Sequence, residues 1–486
     1  MFTASNIHYE LADRACGLGP GGIGAMHLLA RQTGLVEAID RQLHVLKVHL
    51  PYHESDHVLN VAYNLLAGGT CLEDIELWRN DEVYLDALGT PRIPDPTTAG
   101  DFCRRFDPID VEILVNTINN VRVKVWGQQP ASFLEEAIID GDGTMAETTG
   151  ECKQGMDINH DGQWGYHPLV ISLANTAEPL YLVNRSGNRP SHEGAAVRFD
   201  QAIALCKRGG FRRVLLRGDT DFSQTKHLDA WHGAGVRFIF GIDAMPKLVE
   251  IAERLENKAW KPLQREARYE VTTAPRQRPM NVKEAIVRER EFENIRLISE
   301  EVAEFDYAPG QCRRSYRIVV VRKNLTIERG ELALFDDVRH LFYITNIRTK
   351  TGSAIVRLAN ERCNQENLIK QLKSGAHALQ VPVDNLVSNW AYMVMASLAW
   401  TLKAWFALLL PERGRWKAKH RREKAAVLHM QFKRFVNVFV RVPCQIVRTG
   451  RRLVYRLLSW NPWQHVFLRG VDILRDGSAL CRPMRC

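Results

Sequence analysis

The 486-residue chain lacks paired cysteines. Its ten cysteines (Cys16, Cys71, Cys103, Cys152, Cys206, Cys312, Cys363, Cys444, Cys481 and Cys486) include no Cys-x-x-Cys, which excludes a zinc ribbon and a disulfide framework. Cys152, His160 and His167 share no compact metal-ligand spacing. Met1 to Glu10 lacks the basic and apolar stretches of a secretory leader, so a cytoplasmic, reducing setting is expected. Apolar runs of membrane length are nearly missing too. The single one, Trp390 to Leu410, carries Lys403 in its middle, and the cost of a lysine at mid-membrane makes it a buried core helix. Gly17-x-Gly19-x-x-Gly22 lacks the hydrophobic strand that a dinucleotide fold places before its glycines, which leaves a flexible loop leading into a helix.

Acidic side chains are scarce in one place. Residues 401–486 hold 4 of them against 19 basic ones, whereas the preceding 400 hold 52 against 46, and the whole chain carries +9. Such a tail suits a polyanion, with nucleic acid ahead of anionic lipid. The remaining composition, 45% hydrophobic and 25% charged, is that of a folded globular chain.

Hydrophobic spacing predicts helices across residues 20–126, with a helix start at Pro96-Thr97-Thr98 whose later turns present Arg104 and Arg105 either as a small DNA-reading surface or as two solvated arginines of a surface helix. After Gly127-Gln-Gln-Pro130 the pattern changes. Strands are expected at Ala137–Asp140, Leu169–Leu173 and Leu180–Val183, then a helix through Ala196, Phe199 and Ile203, a strand at Val214–Leu216, a helix to about residue 233 and a strand at Phe238–Phe240. Residues 249–340 read as a β-rich insertion, Leu341–Thr345 resumes a strand, and Leu358 to Lys373 follows as one helix. The expected fold is α/β: an RNase H-like mixed sheet flanked by helices. The expected divisions are a helical region over 1–128, a catalytic domain over 129–248 and 341–410, the insertion over 249–340, and a basic, mainly helical region over 411–486.

Carboxylates fall where such a sheet would gather them. Asp140 and Asp142 lie two apart at the end of the first strand, so a period of two places both on one face. Asp219 and Asp221 repeat the spacing after a later strand. On the late helix, Arg362, Glu366, Lys370 and Lys373 fall within about 80° of one another. Carboxylates from separate elements meeting at a sheet edge suit Mg²⁺, and basic groups beside them suit phosphates.

At these residues the chain resembles the DDE transposases of bacterial insertion sequences, transposase DDE domain group 1. Asp142-Gly-Thr144 looks like the family's first-aspartate motif. Gly165-Tyr-His-Pro-Leu169 and Arg185-Ser-Gly-Asn188 resemble its strand signatures, and Arg217-Gly-Asp219-Thr-Asp-Phe222 its second-aspartate motif. Arg362, Glu366 and Lys373 match its Tyr-Arg-Glu-Lys helix, with Ala359 at the tyrosine position.

The resemblance implies that Asp142, Asp219 and Glu366 are catalytic and hold two Mg²⁺ ions, for which Mn²⁺ can substitute. Asp140 and Asp221 stand as alternates. Arg362 and Lys373 would contact DNA phosphates; apart from the resemblance, the position of Lys370 beside Glu366 and the helical region's Arg104 and Arg105 make these three further expected DNA contacts. The implied activity is metal-dependent cleavage at terminal inverted repeats and transfer of the 3′-hydroxyl into target DNA, by cut-and-paste. The implied partners are the repeats and target DNA, bound by a homodimer in the bacterial cytoplasm and nucleoid, without a membrane. A non-transposing RNase H-like nuclease and a non-catalytic DNA-binding protein are the alternative readings.

Overall fold

The protein's architecture comes from a computed structural model that describes residues 17–48, 51–264, 281–329, 332–449, 452–458 and 461–476. The segment Met1 to Glu10, and Cys16, Cys481 and Cys486, lie outside these residues. The first segments are strand β1 (Gly17–Leu18) and helix α1 (Ile23–Gln32), and among the described residues five further helices lead to helix α2 (Pro108–Trp126). One of them, Pro96–Arg104, starts where the sequence predicts, with Asp95 accepting the Thr98 N–H as its N-cap at 2.8 Å.

Strands β2 (Glu136–Gly143), β3 (Leu169–Leu173) and β4 (Glu178–Val183) form an antiparallel trio. Helix α3 (Ala195–Arg208) then crosses to β5 (Arg213–Gly218), which is followed by β6 (Arg237–Ile242). Both run parallel to β2, so the order β4-β3-β2-β5-β6 is the mixed α/β sheet expected. The short segment before β6 is less helical than predicted: 3-10 turns occupy Thr220–Phe222 and Thr225–His227, and α-helix covers only Leu228–Gly233.

Three long strands, β7 (Glu293–Tyr307), β8 (Tyr316–Arg329) and β9 (Leu332–Thr345), extend this sheet, because β9 pairs antiparallel with β6. Alternation along β2 shows what covers each face. Gly141 abuts α3, where an added Cβ would lie 2.6 Å from the Phe199 ring. The opposite face of the sheet buries Leu215, Ile239, Val319 and Val321 against Ile355 and Val356 of helix α4 (Gly352–Asn360).

Helix α5 (Cys363–Lys370) follows α4 after a break, so the single helix expected over 358–373 is two. The cause is long-range. The Leu358 carbonyl accepts from the buried Arg217 guanidinium at 2.8 Å, while the Arg362 N–H turns to the Ala359 carbonyl at 3.1 Å. A π-helical turn at Gln371–Gly375 then takes Lys373 out of α-helical register.

Helix α6 (Leu386–Leu409) is long and apolar enough to span a membrane, yet its apolar window is wholly buried inside the protein. It packs against α2 and β4 around Glu178, which is fully enclosed. That carboxylate accepts from Arg122, Thr176, Trp126 and Trp405 at 2.7–3.1 Å, so its burial leaves no oxygen unpaired.

Beyond α6, helix α7 (Lys417–Leu428), strands β10 (Cys444–Thr449) and β11 (Arg452–Leu457) and helix α8 (Gln464–Asp476) return to the first helices. β10 pairs with β1, making a small sheet from the two ends of the chain. The glycine stretch beside it is tightly packed, which corrects the flexible loop expected there. Gly21 and Gly22 donate N–H bonds to Val442 and Val440 at 3.1 and 2.9 Å, and a side chain at either glycine would collide with the Val442 or Phe439 carbonyl. The expected basic, mainly helical region therefore also contains a hairpin, and its Phe435, Phe439 and Val466 lie in the main core.

Candidate catalytic site

The sequence candidates on β2 point to the same side of the sheet and meet different arginines. Asp140 pairs in register with Arg217 on the neighbouring parallel strand. Both groups are at most 2% exposed, and Arg217 grips both Asp140 oxygens at 2.7 and 2.8 Å. Asp142 lies one pleat further, at the strand's end, where Arg362 reaches its Oδ2 at 3.2 Å.

Asp219 follows β5 and caps the 3-10 turn, accepting the Asp221 N–H at 3.1 Å. Its other oxygen, Oδ2, stands 3.8 Å from Arg362. Glu366, in the first turn of α5, stands 4.0 Å from the same guanidinium and is largely exposed. One arginine thus faces Asp142, Asp219 and Glu366, three carboxylates carried by three separate elements. Asp221 is exposed on the turn.

Docking of α5 depends on Gln365, the neighbour of Glu366. It is buried, accepts from the Ser172 hydroxyl and donates to the Val170 carbonyl at 3.0 Å. Side chains one residue apart on a helix point about 100° apart, so fixing Gln365 on β3 turns Glu366 toward the strand ends. Lys370 is exposed on α5, whereas Lys373 is half-buried, and burial lowers its pKa. Arg104 is already engaged by Asp101 at 2.8 Å and Asp384 at 3.2 Å; Arg105 caps its helix and is exposed.

Two surrounding residues escaped the sequence reading as parts of this site. His167 stands against the end of β2, where a Cβ on Gly143 would lie 2.8 Å from its ring. Its Nδ1 lies 2.8 Å from the Arg189 carbonyl. Arg185 donates to the carbonyls of His167, Pro190, Ser191 and Glu193, and so shapes the loop beside the site. The signal available for His167 was its position in Gly165-Tyr-His-Pro-Leu169, directly before β3.

The electrostatics are those of crowded acids. Burial pushes the Asp142 carboxyl up to about 6, with Asp219 and Glu366 adding to the rise and Arg362 opposing it. Burial raises Asp219 as well, with Asp221 contributing.

Among the described residues no group of three or more His, Cys, Asp and Glu side chains is close enough to form a metal cluster. The reason is visible in the distances: the guanidinium stands among the three carboxylates. The donor chemistry nevertheless fits a hard divalent cation, since three carboxylates already share one positive partner.

Residues 19–479 match the family described as Transposase DDE domain group 1. Among solved structures, the chain is similar to the cryo-EM structure of a piggyBac transposase synaptic complex with hairpin DNA. The identity is 10% and the TM-score 0.37, over 85% of this chain and 76% of that one. No curated protein matches.

Proposed function

The chain belongs to the transposase DDE domain group 1 family, and from that premise we propose that it cuts at the terminal inverted repeats of an insertion sequence and joins the freed 3′-hydroxyl to target DNA by cut-and-paste. The observation that supports this reading is the convergence of Asp142, Asp219 and Glu366 on the Arg362 guanidinium. Asp142, Asp219 and Glu366 would hold two Mg²⁺ ions, or Mn²⁺ in their place, supplying Lewis acidity at the scissile phosphate.

The chain's own residues prepare that centre. Asp140 is committed to Arg217, which leaves Asp142 as the strand's ligand. Gln365 keeps α5 against β3 so that Glu366 faces the two aspartates. Arg362, Lys370 and Lys373 follow the sugar-phosphate backbone, Arg362 from the centre and Lys370 from the open side. The N-terminal helices bind the repeats, and because Arg104 is tied to two aspartates, Arg105 is the freer contact. Two copies of the chain hold the two ends together.

The test is excision of a marked element from a plasmid by Asp142→Asn, Asp219→Asn and Glu366→Gln variants. Each is expected to lose excision by about a hundred- to a thousandfold, the scale of removing one preorganised transition-state-stabilising group, while gel-shift binding to repeat DNA persists. Undiminished excision by all three variants would overturn the assignment.

A further inference from the structure

The small sheet made from the two ends of the chain has two dissimilar faces. One is pinned to the first helices. Cys444 and Ile446 are buried there, Tyr455 donates its hydroxyl to the Ala87 carbonyl at 2.5 Å, and Arg448 is paired with Asp86 at 2.5 Å. Gly24 makes room for this packing, since a Cβ there would lie 2.5 Å from the Tyr455 hydroxyl.

Alternation puts the other set of side chains outward: Gln445, Val447 and Thr449 of β10 opposite Arg456, Val454 and Arg452 of β11. Thr449, Arg452, Val454 and Arg456 are exposed. Arg456 donates to Gln445 at 3.3 Å, and among the described residues no carboxylate pairs with Arg452 or Arg456. Residues 441–458 contain five arginines and no aspartate or glutamate. The acid that balances this hairpin, Asp86, sits only on the inner face.

We infer that this outward face is a docking surface for duplex DNA, an inference that rests on the transposase reading above. Four residues of extended strand separate Arg452 from Arg456, ~14 Å of chain. A B-form major groove is about 12 Å wide and admits a two-stranded ribbon. The two guanidiniums therefore reach both phosphate walls of one groove, with Gln445 beside Arg456 and Thr449 beside Arg452 as hydrogen-bonding groups and the Val447–Val454 pair between them. The deep, narrow major groove of A-form RNA does not admit such a ribbon. The inner-face contacts hold the ribbon rigidly on the first helices, so little ordering has to be lost on binding.

The experiment is fluorescence anisotropy of a labelled 30-base-pair duplex across a sodium chloride series. It compares the full chain, an Arg452→Ser/Arg456→Ser double variant, and Arg448→Ser as the inner-face control. The double variant is expected to reduce the slope of log K against log salt by about 1.8, two phosphate contacts' worth, with its thermal midpoint unchanged. Arg448→Ser should keep the slope of the parent chain. A double variant that keeps both slope and affinity overturns the ribbon surface and leaves the transposase reading intact. A parent chain that binds no duplex at any salt overturns the transposase reading itself. Loss of binding to phosphatidylserine vesicles by the double variant, with DNA binding untouched, would reassign the face to lipid and overturn the inference.

Discussion

Arg217 takes both oxygens of Asp140 while Arg362 is shared among Asp142, Asp219 and Glu366, so two aspartates a single pleat apart are paired very differently. Removing Asp140 strands a buried guanidinium; breaking a buried pair in this way costs about 3–5 kcal/mol. Burial raises the pKa of both carboxyls, but Asp142 has no guanidinium to itself: burial, with Asp219 and Glu366 adding, pushes it up to about 6, so the fold holds it at a cost when ionised. In urea unfolding at pH 7.5, Asp140→Asn should therefore lower the midpoint and Asp142→Asn should hold or raise it. Equal losses would contradict the division between the two. The family resemblance selected Asp142, Asp219 and Glu366, whereas sequence spacing alone offered the pairs Asp140/Asp142 and Asp219/Asp221 and a Glu366 flanked by basic side chains. Spacing did not separate Asp140 from Asp142, because the partner that does so is 77 residues away and is brought alongside only by the parallel register of β5 on β2.

At the level of elements, the decisive feature is the break between α4 and α5. The apolar stripe through Leu358, Leu368 and Leu372 reads as one helix because each half is amphipathic. The interruption comes from outside, when Arg217 takes the Leu358 carbonyl. The buried Asp140–Arg217 pair thus also sets where the second helix begins. Gln365 completes the placement by tying α5 to β3 through Ser172 and Val170. Gln365→Leu keeps the volume nearly constant but leaves the Ser172 hydroxyl and Val170 carbonyl without their partner, at about 1–3 kcal/mol. Excision should fall at least tenfold while duplex binding stays within twofold; unchanged excision would show that α5 is held without it. The strands of the sheet were legible as short apolar runs, whereas the C-terminal hairpin was not. Its β10 strand, Cys-Gln-Ile-Val-Arg-Thr, sits among basic residues that read as one charged region.

On the scale of the whole molecule, α6 is the hub that joins the first helices, the sheet and the basic segments. Lys403 at its middle has no exposed surface; it donates to the Leu428 carbonyl at the end of α7 at 2.6 Å and lies 3.9 Å from the Trp400 ring centre. Burial lowers its pKa from 10.5 to about 7. Between those two values the unfolded chain binds a proton that the folded chain does not, so this group makes stability rise with pH from about 7 to about 10.5, by at most about 1.4 kcal/mol per unit. His429 is the titratable neighbour that Lys403 influences, and its own pKa is lowered mainly by burial. Lys403→Met should remove that rise and unfold at a higher temperature near pH 7. Parallel stability curves for the two proteins between pH 7 and 10 would refute this.

The pairing of Gly17–Leu18 with Gln445 and Cys444 also has a bearing on how the protein is made. The strand that completes the first helices is translated more than 400 residues after the strand it joins, so the amino-terminal portion emerges from the ribosome with its glycine face uncovered. It acquires that partner only once residues 444 and 445 have been made. A prematurely terminated product would carry Asp142, Asp219 and Glu366 and still present an unfinished, protease-sensitive front half. Translation through the β10 strand thereby becomes a checkpoint on the enzyme's assembly.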